Sequence, residues 1–339
     1  MNVNYHSIWP PPEQPVSTLS PNPARPVDAR LAPAAAAREV VNLPSPASSA
    51  LRSILAITDL QQDADAVLEK AAQLAKANDI ALTIAYYNQK GGPSGTQAIV
   101  RLIRRARHLR NAFEIPVEVP AYHQLSDRDL ARFAARHDLV CVHRDQLLYR
   151  NPIWRANLVR LLLDKARAQV LALTGDGSLP ADRTLLAAKT RCALKTQFAA
   201  LSRLGPQEAV ELLHITRHPE TPLPRLGDVP PGVMADYLKE KWQAVHAGFE
   251  SAGSAVRPLP DVEVRLTMVH GDVRSRIRQH LADSGASLLV LGWHRRSGLS
   301  AWLRERMVVN LLRESLCAAL IVPVERVVDE TLLQPEKGR

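Results

Sequence analysis

The residues best suited to chemistry lie in one loop, Gly292-Trp293-His294-Arg295-Arg296-Ser297-Gly298, which follows the apolar run Leu288-Leu289-Val290-Leu291. Glycines let backbone amides come close to an anion, and amides that converge on one point can cradle a phosphate. Guanidinium groups bind phosphate through paired hydrogen bonds, so Arg295 and, on the following helix, Arg306 could hold an anion by side chain. A solvated loop and helix face is the plainer reading of the same residues. Asp59 ends an apolar run, Ser53 to Ile57, where an aspartate serves as a cap or turn residue. His143, His270 and His294 each fall near a strand end, yet none has a serine or cysteine nucleophile at a telling spacing. There is no Gly-x-x-x-x-Gly-Lys-Ser/Thr run and no Gly-x-Gly-x-x-Gly after a strand. No catalytic set is expected, and no metal site.

These residues need elements to position them. The run 288–291 reads as a strand buried on both faces, since it is short and wholly apolar. A helix is expected from about Ser300 to Leu316, with Val308, Leu311, Leu312 and Ser315 on one side. Ala319 to Val322 then forms a second buried strand. Strand, loop, helix and strand make a parallel crossover, whose loop lies at the carboxyl end of the sheet, where open α/β folds bind ligands.

The same order recurs along the chain. In the first half, strands are expected at 53–57, 80–87, 116–119, 139–142 and 170–173, with helices at about 63–78, 96–112, 126–137 and 153–168. Thr174 to Pro180 is a linker by composition. In the second half, strands are expected at 184–188, 209–215, 262–269, 288–291 and 319–322. The helices between them are expected at 192–204, 233–253 and 272–284, followed by the one already described. Such repetition points to two tandem Rossmann-like α/β domains, each a mostly parallel five-stranded sheet with helices on both faces. The domains are expected over 51–175 and 182–326, between a Pro/Ala-rich tail, 1–50, and a carboxyl-terminal tail, 327–339. Ten of the 25 prolines fall in the first 50 residues, too little apolar surface accompanies them to offset chain ordering, and the tail is expected to be mobile.

Composition narrows the function classes. The 339 residues are 46% hydrophobic, enough for buried cores. No run reaches the length of a membrane span and the amino terminus lacks a signal-peptide pattern, so a cytoplasmic protein without a membrane partner is expected. Cys141, Cys192 and Cys317 are odd in number and far apart, and read as structural thiols. The net charge of +9 invites a nucleic-acid reading. Most of the basic residues are interspersed with acids, and aromatic residues are 4%, which argues against nucleic acid. The dense basic stretch Arg101 to Arg110 is read as a solvated helix face.

The stretch from Gly292 through the lone Cys317 to Leu320-Ile321-Val322-Pro323 resembles the last third of a universal stress protein, and Ile54 to Asp59 looks like that family's first strand and closing aspartate. The resemblance covers roughly residues 52–325 as a tandem pair. It implies a binding or regulatory protein of the stress response, with ATP or another adenine nucleotide as the class of ligand. In nucleotide-binding relatives the aspartate matched by Asp59 lies beside the adenosine; its match in the second repeat is taken as Thr190. The family's phosphate motif, laid on this chain, retains Gly292 but places Arg295, Glu305 and Arg306 at the other motif positions. Gly298 and His294 belong to the same loop. The corresponding loop of the first half, Val142 to Ile153, has no glycine, so its site is expected to be closed. Weak or absent ATP binding follows, with an ATP-binding or nucleotide-hydrolysing relative as the alternative. Family dimers join through their last strands. By the same resemblance, residues 170–173 and 320–324 are expected side by side, as an intramolecular pseudo-dimer, with the protein or small-molecule partner open.

Overall fold

The computed structural model describes residues 39–40, 51–61, 63–87, 95–120, 125–148, 158–174, 183–188, 191–216, 243, 247, 263–294, 299–315 and 317–324. Within them, β-branched and leucine-rich runs form eleven strands of one sheet. The first half contributes β2 (Ile54–Thr58), β3 (Leu82–Tyr86), β4 (Val117–Glu118), β5 (Leu139–His143) and β6 (Gln169–Leu173). The second contributes β7 (Arg183–Ala187), β8 (Ala209–Thr216), β9 (Glu263–His270), β10 (Leu288–His294) and β11 (Ala318–Val324). A short β1 (Glu39–Val40) lies antiparallel on β9. The rest of residues 1–50, the 233–253 segment apart from residues 243 and 247, and the carboxyl-terminal tail lie outside the described residues.

Each half is a parallel five-stranded sheet. The order is β6-β5-β2-β3-β4 in one and β9-β8-β7-β10-β11 in the other. The halves are fused by the antiparallel pairing of β6 with β11, in which Leu171 faces Leu320, Val170 faces Ile321 and Ala172 faces Ala319. Residues 170–173 and 320–324 are therefore neighbours, and one sheet runs through both halves. Every residue of that register is buried. A seam of this kind satisfies the backbone groups that two open sheet edges would expose.

Helices cover both faces because the strands are apolar on both. Alternate residues of each strand face opposite layers. Ile54 and Ala56 join one core with α1 (Asp63–Ala77), α2 (Thr96–Phe113) and α6 (Arg191–Leu201). Leu55 and Ile57 join the other, with α3 (Asp127–Ala134), α4 (Arg144–Leu148), α5 (Leu158–Arg160), α7 (Val273–Ser284) and α8 (Leu299–Glu314). Caps set the starts where the sequence provides them. Ser126 accepts a hydrogen bond from Asp129 N–H, and Asp272 accepts one from Ser275 N–H at 3.0 Å.

Two expectations for the first half are corrected. Residues 142–153 are expected to form a loop, but β5 runs to His143 and directly into α4, so Arg144–Leu148 is helical, and residues 149–153 lie outside the described residues. The helix expected over 153–168 is described from Leu158, and after Arg160 it widens into a π turn, Leu161–Lys165. Ala166 N–H donates to Leu161 O, five residues back, at 3.0 Å. The same point of the second half closes as an ordinary α turn, with Ser315 N–H donating to Leu311 O at 2.8 Å. Apolar periodicity does not distinguish a four-residue closure from a five-residue one within a single turn.

Candidate functional site

In a sheet of this order, the crevice between strands whose connections diverge lies at the carboxyl ends of β2 and β5, and again at those of β7 and β10. The first crevice has Asp59 at its edge. Thr58, fully buried, accepts from Leu60 N–H on its hydroxyl at 3.0 Å, and Asp59 Oδ1 accepts from Gln61 N–H at 3.1 Å. Leu60 takes a left-handed conformation, φ 61°. The carboxylate of Asp59 thus builds the strand-to-helix turn, and its half-buried position leaves it at the crevice edge.

Across that crevice, β5 offers no cradle. His143 passes straight into α4, and its Nδ1 accepts from Asp145 N–H at 3.3 Å. Arg144 turns away from the crevice, donating from Nη1 to the carbonyl of Ser315 beyond the end of α8, at 2.6 Å. The backbone after β5 therefore forms no glycine loop of the kind that wraps a phosphate, and one of the first amides of α4 is already engaged by His143. The position where an anion loop would begin is occupied by a tie between the halves.

The second crevice is filled from below. Gln197 of α6 is fully buried and reaches between the two strands, donating from Nε2 to Ala187 O at 3.0 Å and to Val290 O at 3.5 Å. Its Oε1 is buried without a hydrogen-bond partner among the described residues. Gly292 lies above it. A Cβ on Gly292 would stand 3.2 Å from Val324 Cγ2 and 3.5 Å from Gln197 Nε2. A larger residue would need Val324 to give by a few tenths of an ångström, so packing alone favours glycine here. His214 of β8, also buried, donates from Nδ1 to Ala188 O at 3.2 Å, so the carbonyls that end β7 are held by side chains from two elements.

Beyond Gly292, Trp293 is buried and donates from Nε1 to Asp164 Oδ1 at 2.7 Å. Asp164 belongs to the π turn of the first half. His294, the last residue of β10, is half-buried and pairs in register with Val324, while Arg306 is exposed on α8. Thr190, Arg295 and Gly298 lie outside the described residues. The strand registers refine one match between the halves. Leu139 opens the β5 pairing with Ile54, and Leu288 opens the β10 pairing with Thr184, so Ile57 corresponds to Ala187 and Thr58 to Ala188.

Cys141 and Cys317 have no part in this geometry. Burial pushes the Cys141 thiol up to about 12, and burial also raises that of Cys317, against partial relief from hydrogen bonds and Arg144. Among the described residues no group of three metal-binding side chains occurs. No described helix is long and apolar enough to cross a membrane. Sequence reasoning missed Gln197, although a signal was present: it is the polar member of the buried stripe Ala193, Leu194, Gln197, Phe198, Leu201. It also missed Arg144, Trp293 and Asp164, whose partners are 129 or 171 residues away in the chain.

Residues 179–323 match the universal stress protein family. No curated protein matches the chain. Among solved structures, a universal stress protein from Archaeoglobus fulgidus DSM 4304 is similar at a TM-score of 0.53 and 15% identity, covering 80% of this chain and 98% of that one. A functionally unknown protein from Pseudomonas aeruginosa PAO1 is similar at a TM-score of 0.53 and 15% identity, covering 81% and 93%. At these identities the likeness is one of fold.

Proposed function

We propose that this chain, whose residues 179–323 form a universal stress protein domain, works as a cytoplasmic stress-response binding and regulatory protein and does not turn over a nucleotide. The observation that carries this reading is the state of the two crevices. Gln197 bridges the second, and α4 replaces the cradle of the first. In the first, no glycine loop follows β5, and in the second a buried amide takes the space beneath Gly292, so neither offers an open phosphate cradle among the described residues. The two halves act as an intramolecular pair through the β6–β11 seam. What one crevice binds reaches the other through Arg144 on Ser315 and Trp293 on Asp164.

A charge-assisted hydrogen bond contributes about 1.5–3 kcal/mol, so loss of two lowers phosphate affinity by roughly a hundredfold or more. Calorimetry with ATP at physiological salt is the test. The unaltered protein should show weak, salt-sensitive binding or none, without efficient hydrolysis. Arg295→Gly, Glu305→Gly and Arg306→Ser, combined with Gln197→Ala, should raise the affinity. Micromolar binding by the unaltered protein that salt does not weaken would overturn the proposal. Asp59 at the first crevice edge favours a second reading, adenine-nucleotide binding in the first half. In that case Asp59→Ala would abolish the binding of ATP, whereas on the reading preferred here it loosens only the turn.

A further inference from the structure

Helix α2 carries a surface that the crevices do not explain. Its eighteen residues include Arg101, Arg104, Arg105, Arg107 and Arg110 and no acid. Arg105 is paired with Asp65, and Arg110 donates to Val117 O at 2.8 Å. Arg101, Arg104 and Arg107 are exposed and have no ion-pair partner among the described residues. On the same face stand Val100 and Ile103, 49% and 48% exposed, the exposed large hydrophobics of the described protein. The helix buries Ala98, Leu102, Ala106 and Leu109. Val100 and Leu109 are nine residues apart, about two and a half turns, so Val100 points directly away from the core. Core packing therefore accounts for neither aliphatic side chain.

We infer that the outer face of α2 docks on an anionic lipid bilayer, with Arg101, Arg104 and Arg107 among the headgroup phosphates and Val100 and Ile103 below them. Charge complementarity carries the choice of occupant. The whole chain bears +9, so a negative surface attracts it at long range and this acid-free helix at short range. Nucleic acid would satisfy the guanidinium groups but strand two aliphatic side chains at the centre of the contact, and the aromatic residue of α2, Phe113, stands at its far end, not beside them. A protein partner is disfavoured by area, because two aliphatic side chains on a convex helix fall short of the about 800 Å² that each partner buries in a standard interface. A bilayer has no such requirement, since shallow insertion into the headgroup region uses small apolar groups flanked by cations.

The test uses the full chain with vesicles of phosphatidylcholine alone and of equal parts phosphatidylcholine and phosphatidylglycerol. Cosedimentation should occur with the second and not the first. A basic side chain at an anionic surface strengthens adsorption about fivefold, so Arg101→Gln, Arg104→Gln and Arg107→Gln together should weaken it roughly a hundredfold. Val100→Ser with Ile103→Ser, which leaves the charge unchanged, should weaken it several-fold, and more visibly at physiological salt. A charge-matched control on α3 and the turn after it, Arg128→Gln, Arg132→Gln and Arg136→Gln, should have the smaller effect. All eight positions are exposed, and unchanged melting temperatures would show that each variant folds. Absence of vesicle binding, or equal losses from the α2 and α3 sets, would overturn the inference. Tighter binding to duplex DNA that needs the three arginines and ignores Val100 and Ile103 would replace it with a nucleic-acid surface.

Discussion

The two halves of this sheet share a strand order and differ in what stands behind their crevices. In the first half, α1 presents Val67, Leu68, Ala71, Ala72, Leu74 and Ala75 to the sheet. In the second, α6 presents Ala193, Leu194, Gln197, Phe198, Ala200 and Leu201 at the same spacing. Ala71 thus corresponds to Gln197, and a methyl group in one half is an amide bridging two strands in the other. The strand ends differ in the reverse sense. The first half sends β5 directly into α4, whereas in the second β10 runs on to His294 with Gln197 filling the space beneath it. One backbone plan thus carries two different arrangements at its crevices.

The halves agree in how they hold each other. Arg144 follows β5 by one residue, and its register counterpart on β10 is Trp293. Arg144 reaches Ser315 beyond the end of α8, and Trp293 reaches Asp164 in the π turn of the first half. Each strand end is thus tied to the last helical segment of the other half, by different chemistry at matching positions.

The largest effect is expected at the seam, which would also show whether the halves unfold as one. Leu171 and Leu320 face each other across it and are fully buried. Leu171→Ala or Leu320→Ala should cost about 2–5 kcal/mol. Each should shift a single unfolding transition in chemical denaturation. Two transitions, with only one moved by each substitution, would show that the halves are energetically separate.

A reciprocal exchange tests the comparison of the crevices. Gln197→Ala removes a fully buried side chain that bonds to Ala187 O and Val290 O, and should cost about 1–3 kcal/mol. Ala71→Gln places the larger group where the first half holds a methyl, and overpacking should cost about 1–3 kcal/mol as well. If Ala71→Gln were neutral, the space behind the first crevice would be open and the contrast would fail.

The cross-ties come next. Trp293→Phe keeps most of the buried ring and loses the hydrogen bond to Asp164, at an expected cost of about 1–2 kcal/mol in melting experiments. Arg144→Met should cost about 1 kcal/mol, since Arg144 is partly solvated and binds a carbonyl. A larger loss from Arg144→Met than from Trp293→Phe would reverse the ranking of the two ties.

The smallest effect is a pH dependence confined to alkaline conditions. The Cys141 thiol is raised by burial to about 12, so the folded chain keeps a proton that the unfolded chain releases. Stability should therefore fall as pH rises from the ordinary thiol range towards about 12, and Cys141 should have no effect at neutral pH. Cys141→Ala should remove the larger part of that alkaline slope and leave the part due to the raised Cys317 thiol. In the native protein Cys141 should also react with an alkylating reagent far more slowly than Cys317, which is partly exposed. Equal labelling of both thiols at neutral pH would contradict the buried position.

Strand and helix order was legible along the chain because burial on both faces demands unbroken apolar runs, such as Leu288 to Leu291, and helix burial demands the stripe from Val308 to Ser315. Caps at Ser126 and Asp272 were legible because their bonds span three residues. Asp59 could be named from its place after a strand, and Gly292 from its place before a loop. The use of Gly292 was not legible, because it depends on Gln197, 95 positions earlier, and on Val324, which closes the neighbouring strand. The helix at Arg144–Leu148 and the π turn at Leu161–Lys165 stand where the two halves meet, at the ties to Ser315 and Trp293 that the local sequence does not display. Periodicity records which face of an element is buried. Only the assembled sheet brings Arg144 to Ser315, Trp293 to Asp164 and Gln197 beneath Gly292, because hydrogen bonds over such chain separations depend on where whole strands lie.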